Sequence, residues 1–351
     1  MKISRLKIFL PVLLVTMVVG MGCRQKGQSF GSLRNVVVLA DSLLWENVGN
    51  TVTQVLSVDR YTPQPEMVFV LNRVNPGNIG KLKQYPQILL IGTLDQQGVT
   101  KNLLDQLLPE GSKGRQLVEN NERFFFQVKD PWAREQLLGV AVSNDLPTLA
   151  ENLGTNKEKI FEAFDDHVND RVLKQVYYSS EQKEIEKELM SKHGWSIRVP
   201  HDFVVVVDSS ESRFTWLTRR GPKRLLRDVS VYWEPVDDPS ILSKEWMLAA
   251  KQKNTKGFNE GFYIHSDSKI QVEEELVNFQ DRYSIKLEGI WQDDQGGGPF
   301  RSYGFYNESD GRLYLLNSYV WAPEQRKWPY MRQLDIILHT FKTKADLNKQ
   351  E

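Results

Sequence analysis

The chain has almost no cysteine: among its 351 residues only Cys23 carries a thiol. A single cysteine cannot form an internal disulfide, so no disulfide framework holds the fold together. Structural zinc sites built on several thiolates are excluded for the same reason. A free thiol is a liability in an oxidising compartment, which draws attention to Cys23 if the chain is exported.

The chain also lacks an excess of charge of either sign, because 45 lysines and arginines balance 45 aspartates and glutamates. Proteins that bind nucleic acid present a basic face to the phosphate backbone, so this balance predicts no nucleic-acid partner. A local basic run does occur at Arg219, Arg220, Lys223, Arg224 and Arg227. We interpret that run as a solvated loop.

Short catalytic and cofactor motifs are missing as well. The 5 histidines are not at ligand spacing and no His-Glu-x-x-His occurs, so no metal site is predicted. The turn Leu39-Ala40-Asp41-Ser42 lacks the glycine-rich loop of a phosphate site, and Gly-x-Ser-x-Gly is absent. The sequence therefore predicts no cofactor and no recognisable catalytic residue. Two acids far apart in sequence leave no signature, so a glycosidase stays open.

What the sequence does contain begins with a secretion signal at residues 1–22. Basic residues precede an apolar run of about fifteen residues, which is too short for a permanent transmembrane helix. The run ends in Val19-Gly20-Met21-Gly22-Cys23, which resembles the lipobox of bacterial lipoproteins although Gly20 replaces the usual leucine. The resemblance implies cleavage before Cys23 and acylation of its sulfur, with palmitate as a typical chain. The alternative is an ordinary signal peptide followed by an incidental cysteine.

An acylated Cys23 would hold the protein to the lipid bilayer of the cell envelope. The polar residues 23–32 are then interpreted as a flexible tether between lipid and fold. No acidic cluster follows Cys23. Because such a cluster marks export to the cell surface in some bacteria, its absence favours an anchor that faces the periplasm.

Hydrophobic periodicity divides the rest of the chain into two parts joined by helices. Residues 33–155 alternate apolar, strand-like runs with helical stretches and predict an N-terminal α/β subdomain. Residues 156–192, with apolar positions every three or four residues, predict connecting helices. Residues 193–345 carry strands at hairpin spacing and predict an antiparallel C-terminal subdomain. The fold class is therefore α+β, two sheet-plus-helix subdomains joined by a long helix, and the order of the second is similar to the PsbP-like fold.

Local signals predict where individual helices start. Asp130-Pro131 predicts a short helix with the aspartate as its cap and the proline in its first turn. Asp145 predicts the cap of another helix. Ser179 or Ser180 predicts the cap of the charged helix that follows it.

The most specific pattern lies late in the chain, where glycines interrupt two aromatic-rich runs. It comprises Gly289-Ile290-Trp291, Gly296-Gly297-Gly298-Pro299-Phe300 and Ser318-Tyr319-Val320-Trp321-Ala322-Pro323. Glycines permit close backbone approach, so we interpret the glycine run as a tight connection between two central strands. We also expect Trp321 and Trp328 to be exposed. The pattern predicts a binding rim formed by Trp291, Gly297, Gly298, Pro299, Phe300 and Trp321.

These motifs resemble a family of uncharacterised bacterial lipoproteins, domain of unknown function 4837. Further matching motifs are Trp45 with Gly49, Gln64-Pro65-Glu66, Lys129-Asp130-Pro131-Trp132-Ala133, Gly194-Trp195 and Phe214-Thr215-Trp216. The resemblance covers nearly the whole mature chain. It implies a lipid anchor and a globular mature domain, and it brings no activity or catalytic residue.

Two functions from different classes follow from these observations. The lipobox, the balanced charge and the missing catalytic constellation favour a membrane-anchored binding or assembly factor, with an envelope protein or a glycan as partner. The alternative is an envelope hydrolase that acts on glycans through two carboxylates. The lack of any catalytic motif favours binding over catalysis.

Overall fold

The computed structural model describes residues 26–256, 263–264, 271–293 and 296–348. The predicted secretion signal at 1–22 and Cys23 lie outside these residues, so the lipid anchor stays a prediction. The described part forms two large sheets with helices packed on them, one sheet in each half of the chain. No helix within these ranges is long and apolar enough to cross a membrane.

The first half alternates short strands with helices, as its periodicity predicts. The strands are β1 (Asn35–Leu39), β2 (Asp59–Tyr61), β3 (Pro65–Met67), β4 (Val70–Val74), β5 (Gln87–Thr93), β6 (Phe125–Lys129) and β7 (Leu137–Ser143). The helices are α1 (Ser42–Leu56), α2 (Val99–Leu107), α3 (Lys113–Glu119) and α4 (Leu146–Thr155). Short 3-10 turns span Pro76–Asn78 and Gly80–Gln84.

Five of these strands form one sheet in the order β4-β1-β5-β7-β6, which is parallel except for β6. The central strands β5 and β7 are buried at every position. Parallel strands with such continuous apolar sequences need cover on both faces. One face packs against α1, α4 and the helix that follows them, while α2 and α3 cover the other.

Part of the segment interpreted as a flexible tether is bound to this first half. The backbone N–H of Ser29 donates to the carbonyl of Arg134 at 3.0 Å, and that of Phe30 donates to Gln84 at 2.9 Å. Gln28 also forms a parallel bridge with Arg134. Residues 28–30 therefore belong to the fold and not to a free tether.

The helix predicted to begin at Asp130 does not form. Asp130 has a φ of 54°, and its carboxylate accepts a hydrogen bond from the backbone N–H of Gln136 at 2.9 Å. The side chain of Gln136 in turn accepts from the backbone N–H groups of Trp132 and Ala133 at 3.1 and 3.2 Å. These local bonds offer the backbone an alternative to a helix, and the segment folds as a tight loop.

Two helices connect the halves, α5 (Lys157–Val176) and α6 (Lys183–His193). The apolar stripe of α5 is buried against the first sheet. Neither Ser179 nor Ser180 caps α6, which begins after Gln182. The amide of Gln182 donates to the carbonyls of Pro200 and Phe203 at 2.8 and 2.6 Å, so this residue ties the start of α6 to the second half.

The second half consists mainly of antiparallel strands. They are β8 (Trp195–Ser196), β9 (Val204–Ser209), β10 (Phe214–Arg220), β11 (Leu226–Pro235), β12 (Tyr263–Ile264), β13 (Glu273–Phe279), β14 (Arg282–Asp293), β15 (Gly296–Asn307), β16 (Arg312–Trp321) and β17 (Lys342–Thr343). The helices are α7 (Lys244–Lys256), α8 (Trp328–Leu338) and α9 (Lys344–Asn348), and 3-10 turns span Pro222–Arg224 and Pro239–Ile241.

Most of these strands form one antiparallel sheet in the order β12-β14-β15-β16-β11-β10-β9, with β13 paired to β14 as well. Successive side chains of a strand point to opposite faces of the sheet, so each long strand contributes side chains to two cores. The core on one face packs under α8, and the core on the other face packs under α7. The predicted α+β class with an antiparallel second part is confirmed.

The two halves meet along α8. Glu66 of β3 accepts hydrogen bonds from the backbone N–H groups of Lys327 and Trp328 at 2.7 and 3.3 Å, so a carboxylate of the first half caps a helix of the second. Arg332, which is buried on α8, pairs with Asp165 of α5 at 2.5 Å. Trp328 packs against the apolar cores of both halves.

Candidate functional site

A cavity of about 640 Å³ opens at one end of the second sheet, where β10, β14 and β16 end and β11 begins. Its lining combines aromatic rings with a few polar groups: Trp216, Trp291, Tyr319 and Trp321, with Asp228, Asp293, Arg220 and Arg224. Mostly apolar walls with a small number of placed polar groups are typical of sites for small ligands. We refer to this space as the tryptophan cavity.

The glycine run creates one wall of the tryptophan cavity. Trp291 on β14 and Trp321 on β16 are separated in the sheet by β15, whose first three residues carry no side chains. A Cβ added to Gly296 would lie 2.8 Å from the Trp321 ring, and one added to Gly298 would lie 3.4 Å from the indole nitrogen of Trp291. The two indoles therefore meet across β15, with ring centres 5.7 Å apart and planes inclined by 36°.

The glycines also let β15 approach its neighbours closely. A Cβ on Gly297 would lie 2.3 Å from the carbonyl oxygen of Trp291, and one on Gly298 would lie 1.9 Å from that of Val320. The run is therefore part of a paired strand, in register with β14, and not a connection between two strands as we expected. Only residues without a Cβ fit there.

The six residues predicted as a binding rim have different positions. Trp291 and Trp321 line the tryptophan cavity. Gly297, Gly298, Pro299 and Phe300 lie within β15 and are not part of its lining. Gly298 has a structural role, since the space left by its missing Cβ lets the indoles meet, and the binding role of the rim stays a prediction.

Two further aromatic residues complete the wall. Trp216 on β10 and Tyr319 on β16 have ring centres 6.3 Å apart and planes inclined by 37°. Tyr319 is buried, while Trp216 and Trp321 are half-buried and present part of their surface to the cavity. Trp216 belongs to a motif that the sequence singles out, but its role in a site was missed.

Asp228 on β11 places a carboxyl group in this aromatic surrounding. Burial raises the pKa of Asp228 to about 6, although hydrogen bonds from Thr218 and Trp216 and the nearby charge of Arg220 act in the opposite direction. Its Oδ1 atom is buried and has no hydrogen-bond partner in the described part of the chain. The fold thus leaves this buried acceptor unsatisfied, which is costly.

A second carboxyl group in the lining of the tryptophan cavity is that of Asp293, at the end of β14. It accepts a hydrogen bond from the backbone N–H of Gly296 at 3.0 Å and so closes the hairpin into β15. Within the described ranges no group of three or more histidine, cysteine, aspartate or glutamate side chains could hold a metal ion.

The basic run that we interpreted as a solvated loop has a more specific arrangement. It forms the turn from β10 to β11, and Arg220 and Arg224 line the mouth of the tryptophan cavity. Lys223 and Arg224 have φ values of 55° and 60°, which are unusual for residues with a side chain. Arg220, Lys223 and Arg224 are exposed, and no ion pair within the described part of the chain involves any of them.

The other two members of that run are neutralised or covered. Arg219 forms an ion pair with Asp202. Arg227 is buried, donates to Gln333 at 2.9 Å and lies over the ring of Tyr330. The unpaired positive charge of the run is thus concentrated at the cavity mouth.

Trp328 is not the exposed residue that we expected. It is half-buried in the join between the halves, where Arg60, Arg301 and Arg332 lie within 5.5 to 5.6 Å of its ring centre. Its position makes it a part of the interface between the two sheets and not of the cavity.

The structure is that of a two-part α+β protein with a cavity of about 640 Å³ in its antiparallel part. Residues 182–340 match the family described as Domain of unknown function (DUF4837), which is the family that the motifs of the second half predicted. Residues 29–177 match another family, Domain of unknown function (DUF8532). The first-half motifs attributed to the former, such as Trp45 with Gly49, therefore lie in the segment of the latter.

Solved structures with a similar fold are distant in sequence. CyanoP, the PsbP protein of Synechocystis sp. PCC 6803, is 13% identical, with 44% of this chain and 88% of that chain covered and a TM-score of 0.30. LpqN, involved in cell envelope biogenesis of Mycobacterium tuberculosis, is 15% identical, with 42% and 82% covered and a TM-score of 0.27. The Ran-binding protein Mog1p of Saccharomyces cerevisiae is 11% identical, with 44% and 92% covered and a TM-score of 0.30.

A PsbP structure is thus among the similar folds, and all these likenesses concern the fold alone. The search of curated proteins found no match to this chain.

Proposed function

We propose that the protein is a lipid-anchored binding protein of the cell envelope and that the tryptophan cavity is its binding site. The observation that supports this most is the pairing of Trp291 with Trp321 across a glycine-only stretch of β15. The rings are fixed by paired strands, and sites on such rigid elements are better organised for binding than sites on loops. Aromatic side chains supply large contact areas for a ligand ring or for a side chain of a partner protein.

Trp321→Ala tests the site, because Trp321 is half-buried and lies at the cavity. The measurement is the change in tryptophan fluorescence and in melting temperature when purified envelope glycans are added to the lipid-free protein. We expect a ligand of the wild type to lose at least about tenfold in affinity for the variant, which corresponds to one aromatic contact of about 1.4 kcal/mol.

Trp132→Ala is the matched control, since Trp132 is also half-buried but lies in the first half beside Lys83. It should bind as the wild type does. If both variants bind every ligand of the wild type unchanged, the tryptophan cavity is not the binding site.

A second candidate function, hydrolysis of glycans, is favoured by one observation. Asp228 and Asp293 both line the cavity, and the raised pKa of Asp228 suits a general acid. A glycosidase needs two such carboxyl groups on either side of the scissile bond. Asp228→Asn and Asp293→Asn should each abolish hydrolysis of an envelope glycan, and a wild type that releases no reducing ends from such glycans would exclude this function.

The anchor part of the proposal concerns Cys23. Ser29 is held to Arg134, and the six residues from Cys23 to Ser29 span at most about 21 Å when extended. Acylation would therefore keep the first half close to the bilayer surface. Cys23→Ala should move the protein from the membrane fraction to the soluble fraction, whereas Gln25→Ala should leave it on the membrane. Membrane association that persists in Cys23→Ala would contradict lipidation at this residue.

A further inference from the structure

We propose that the ligand of the tryptophan cavity is an acidic saccharide, a sugar ring that carries a phosphate or carboxylate group. This inference rests on the proposed binding function and names the chemical class of its ligand. Three separate features of the cavity support it: its aromatic walls, the carboxyl group of Asp228, and the unpaired cations at its mouth.

The aromatic walls suit a ring with apolar faces. Trp291 and Trp321 present inclined indoles, with Trp216 and Tyr319 as a second pair beside them. A cavity volume of about 640 Å³ lies within the range of sites for small ligands. The C–H faces of a pyranose can stack on such rings, as can other flat or apolar bodies, so this feature alone does not separate a sugar from a lipid chain.

The carboxyl group of Asp228 distinguishes a sugar from a lipid chain as the ligand. Its Oδ1 atom is buried without a hydrogen-bond partner in the part of the chain that the structure describes. An acyl chain in the cavity would leave this acceptor unsatisfied, and an unsatisfied buried polar group is costly. A sugar hydroxyl satisfies it once the Asp228 side chain turns towards the cavity. The carboxyl group therefore favours a ligand body that bears hydroxyl groups.

The mouth of the cavity adds the preference for negative charge. Arg220 and Arg224 line it, and Lys223 lies between them in sequence, without an ion pair in the described residues. The left-handed backbone of Lys223 and Arg224 is unfavourable for residues with side chains, and such strain is concentrated at functional sites. Guanidinium groups bind carboxylate and phosphate groups in a bidentate manner.

The test is isothermal titration calorimetry of the exported Cys23→Ala protein with four free probes: glucose 6-phosphate, glucuronate, glucose and inorganic phosphate. We expect the two acidic sugars to bind more tightly than glucose and inorganic phosphate, and their binding to weaken as salt is added. A fifth arm uses phosphatidylcholine vesicles with and without phosphatidylinositol, a lipid with a polyol phosphate headgroup. Binding to these vesicles with no binding of the free acidic sugars identifies a lipid headgroup as the source of the same chemistry.

Two variants connect the binding to the residues. The double variant Arg220→Ala/Arg224→Ala should lower the affinity for acidic sugars by about tenfold or more for each cation removed, because a hydrogen bond to a charged group contributes that much to binding. The affinity of this double variant for glucose should be close to that of the wild type. The control Lys113→Ala/Lys129→Ala removes two exposed cations from the first half and should leave all affinities unchanged.

The outcomes separate this inference from the proposed function. Glucose that binds more tightly than the acidic sugars, in a manner that depends on Trp321, overturns the acidic ligand and leaves the cavity as the binding site. If acidic sugars bind the Trp321→Ala variant as tightly as the wild type, the tryptophan cavity is not their binding site. If none of the acidic probes, free or in vesicles, binds the wild type, the inference is wrong.

Discussion

The side-chain nitrogen of Lys251 lies 2.9 Å from the centre of the Phe300 ring. Both side chains are buried between α7 and the second sheet, and the nitrogen also lies 4.6 Å from the ring centre of Tyr319 and 3.5 Å from the hydroxyl of Ser302. No carboxylate in the described residues pairs with it, and burial lowers the pKa of Lys251 well below its ordinary value of 10.5. The core under α7 thus contains an amine whose charged form is unfavourable.

Lys251→Met is expected to raise the free energy of unfolding at neutral pH by on the order of 1–3 kcal/mol, because methionine needs no polar partner in this core. In the wild type the unfolded chain binds a proton that the fold excludes. Wild-type stability therefore rises as the pH increases towards 10.5, and the advantage of the variant shrinks. Urea titrations near pH 7 and pH 10 measure both effects.

Lys253→Met is the matched control, since Lys253 is exposed on the same helix. Its effect on the free energy of unfolding should stay within about 0.5 kcal/mol at either pH. Equal gains from the two substitutions would show that the gain at Lys251 does not come from burial.

Asp228→Asn is expected to stabilise the protein near pH 8 and to change little near pH 4. Burial raises the pKa of Asp228 from 3.8 to about 6, so the fold favours the protonated carboxyl group. Wild-type stability is therefore lost as the pH rises from about 4 through about 6, by at most about 3 kcal/mol. Denaturant titrations of both proteins between these pH values measure the difference. If Asp228→Asn raises the free energy of unfolding equally at both pH values, the gain does not come from the ionisation of Asp228.

Gly298→Ala is expected to destabilise the second half strongly, by more than about 3 kcal/mol, or to prevent its folding. An added Cβ would lie 1.9 Å from the carbonyl oxygen of Val320, so the backbone of β15 would have to move and lose its pairing. Gly154→Ala is the control, because Gly154 lies in α4 with no atom within 4 Å of an added Cβ. Alanine there should stabilise by up to about 1 kcal/mol. Circular-dichroism melting curves distinguish the two, and an unchanged melt of Gly298→Ala would be the contrary result.

Arg332→Ala is expected to weaken the join between the halves by about 3 kcal/mol, because it leaves the carboxylate of Asp165 partly buried without its partner. A double-mutant cycle with Asp165→Ala isolates the contribution of the pair from the loss of packing on Trp328. Lys187→Ala, which breaks an exposed pair with Glu184, should change stability by less than about 1 kcal/mol. A coupling energy between Arg332 and Asp165 that is no larger than this would mean that the pair does not hold the halves together.

Much of the fold could be predicted from local sequence, because its signals are short-range. Asp145 caps α4 as expected and accepts a hydrogen bond from the backbone N–H of Thr148. Asp130 carries the same capping signal, but no helix follows it. The side chain of Gln136 accepts the hydrogen bond from the backbone N–H of Trp132, and the carboxylate of Asp130 accepts from the backbone N–H of Gln136 instead. The helices α2 and α3 escaped prediction because they are short, with nine and seven residues, so a periodic pattern has little length in which to show.

The candidate site was predictable only in part. Trp291, Trp321 and the glycine run stand out as a pattern, but their common purpose depends on β15 lying between β14 and β16, which no local signal encodes. Asp228 shares its sheet face with Ser230 and Tyr232 by simple alternation, yet its burial follows from strands distant in sequence. The basic turn was visible and was assigned to solvent, since nothing in the sequence indicates that a cavity opens beside it.

The cap that Glu66 provides for α8 joins residues 261 positions apart in the chain. Contacts of such separation are made late in folding, because the loop between them must first be closed. Residues 182–340 expressed alone would leave the first turn of α8, Trp328 and Arg332 without their cover. The stability of the segment that matches the DUF4837 family therefore depends on contacts with the half that precedes it.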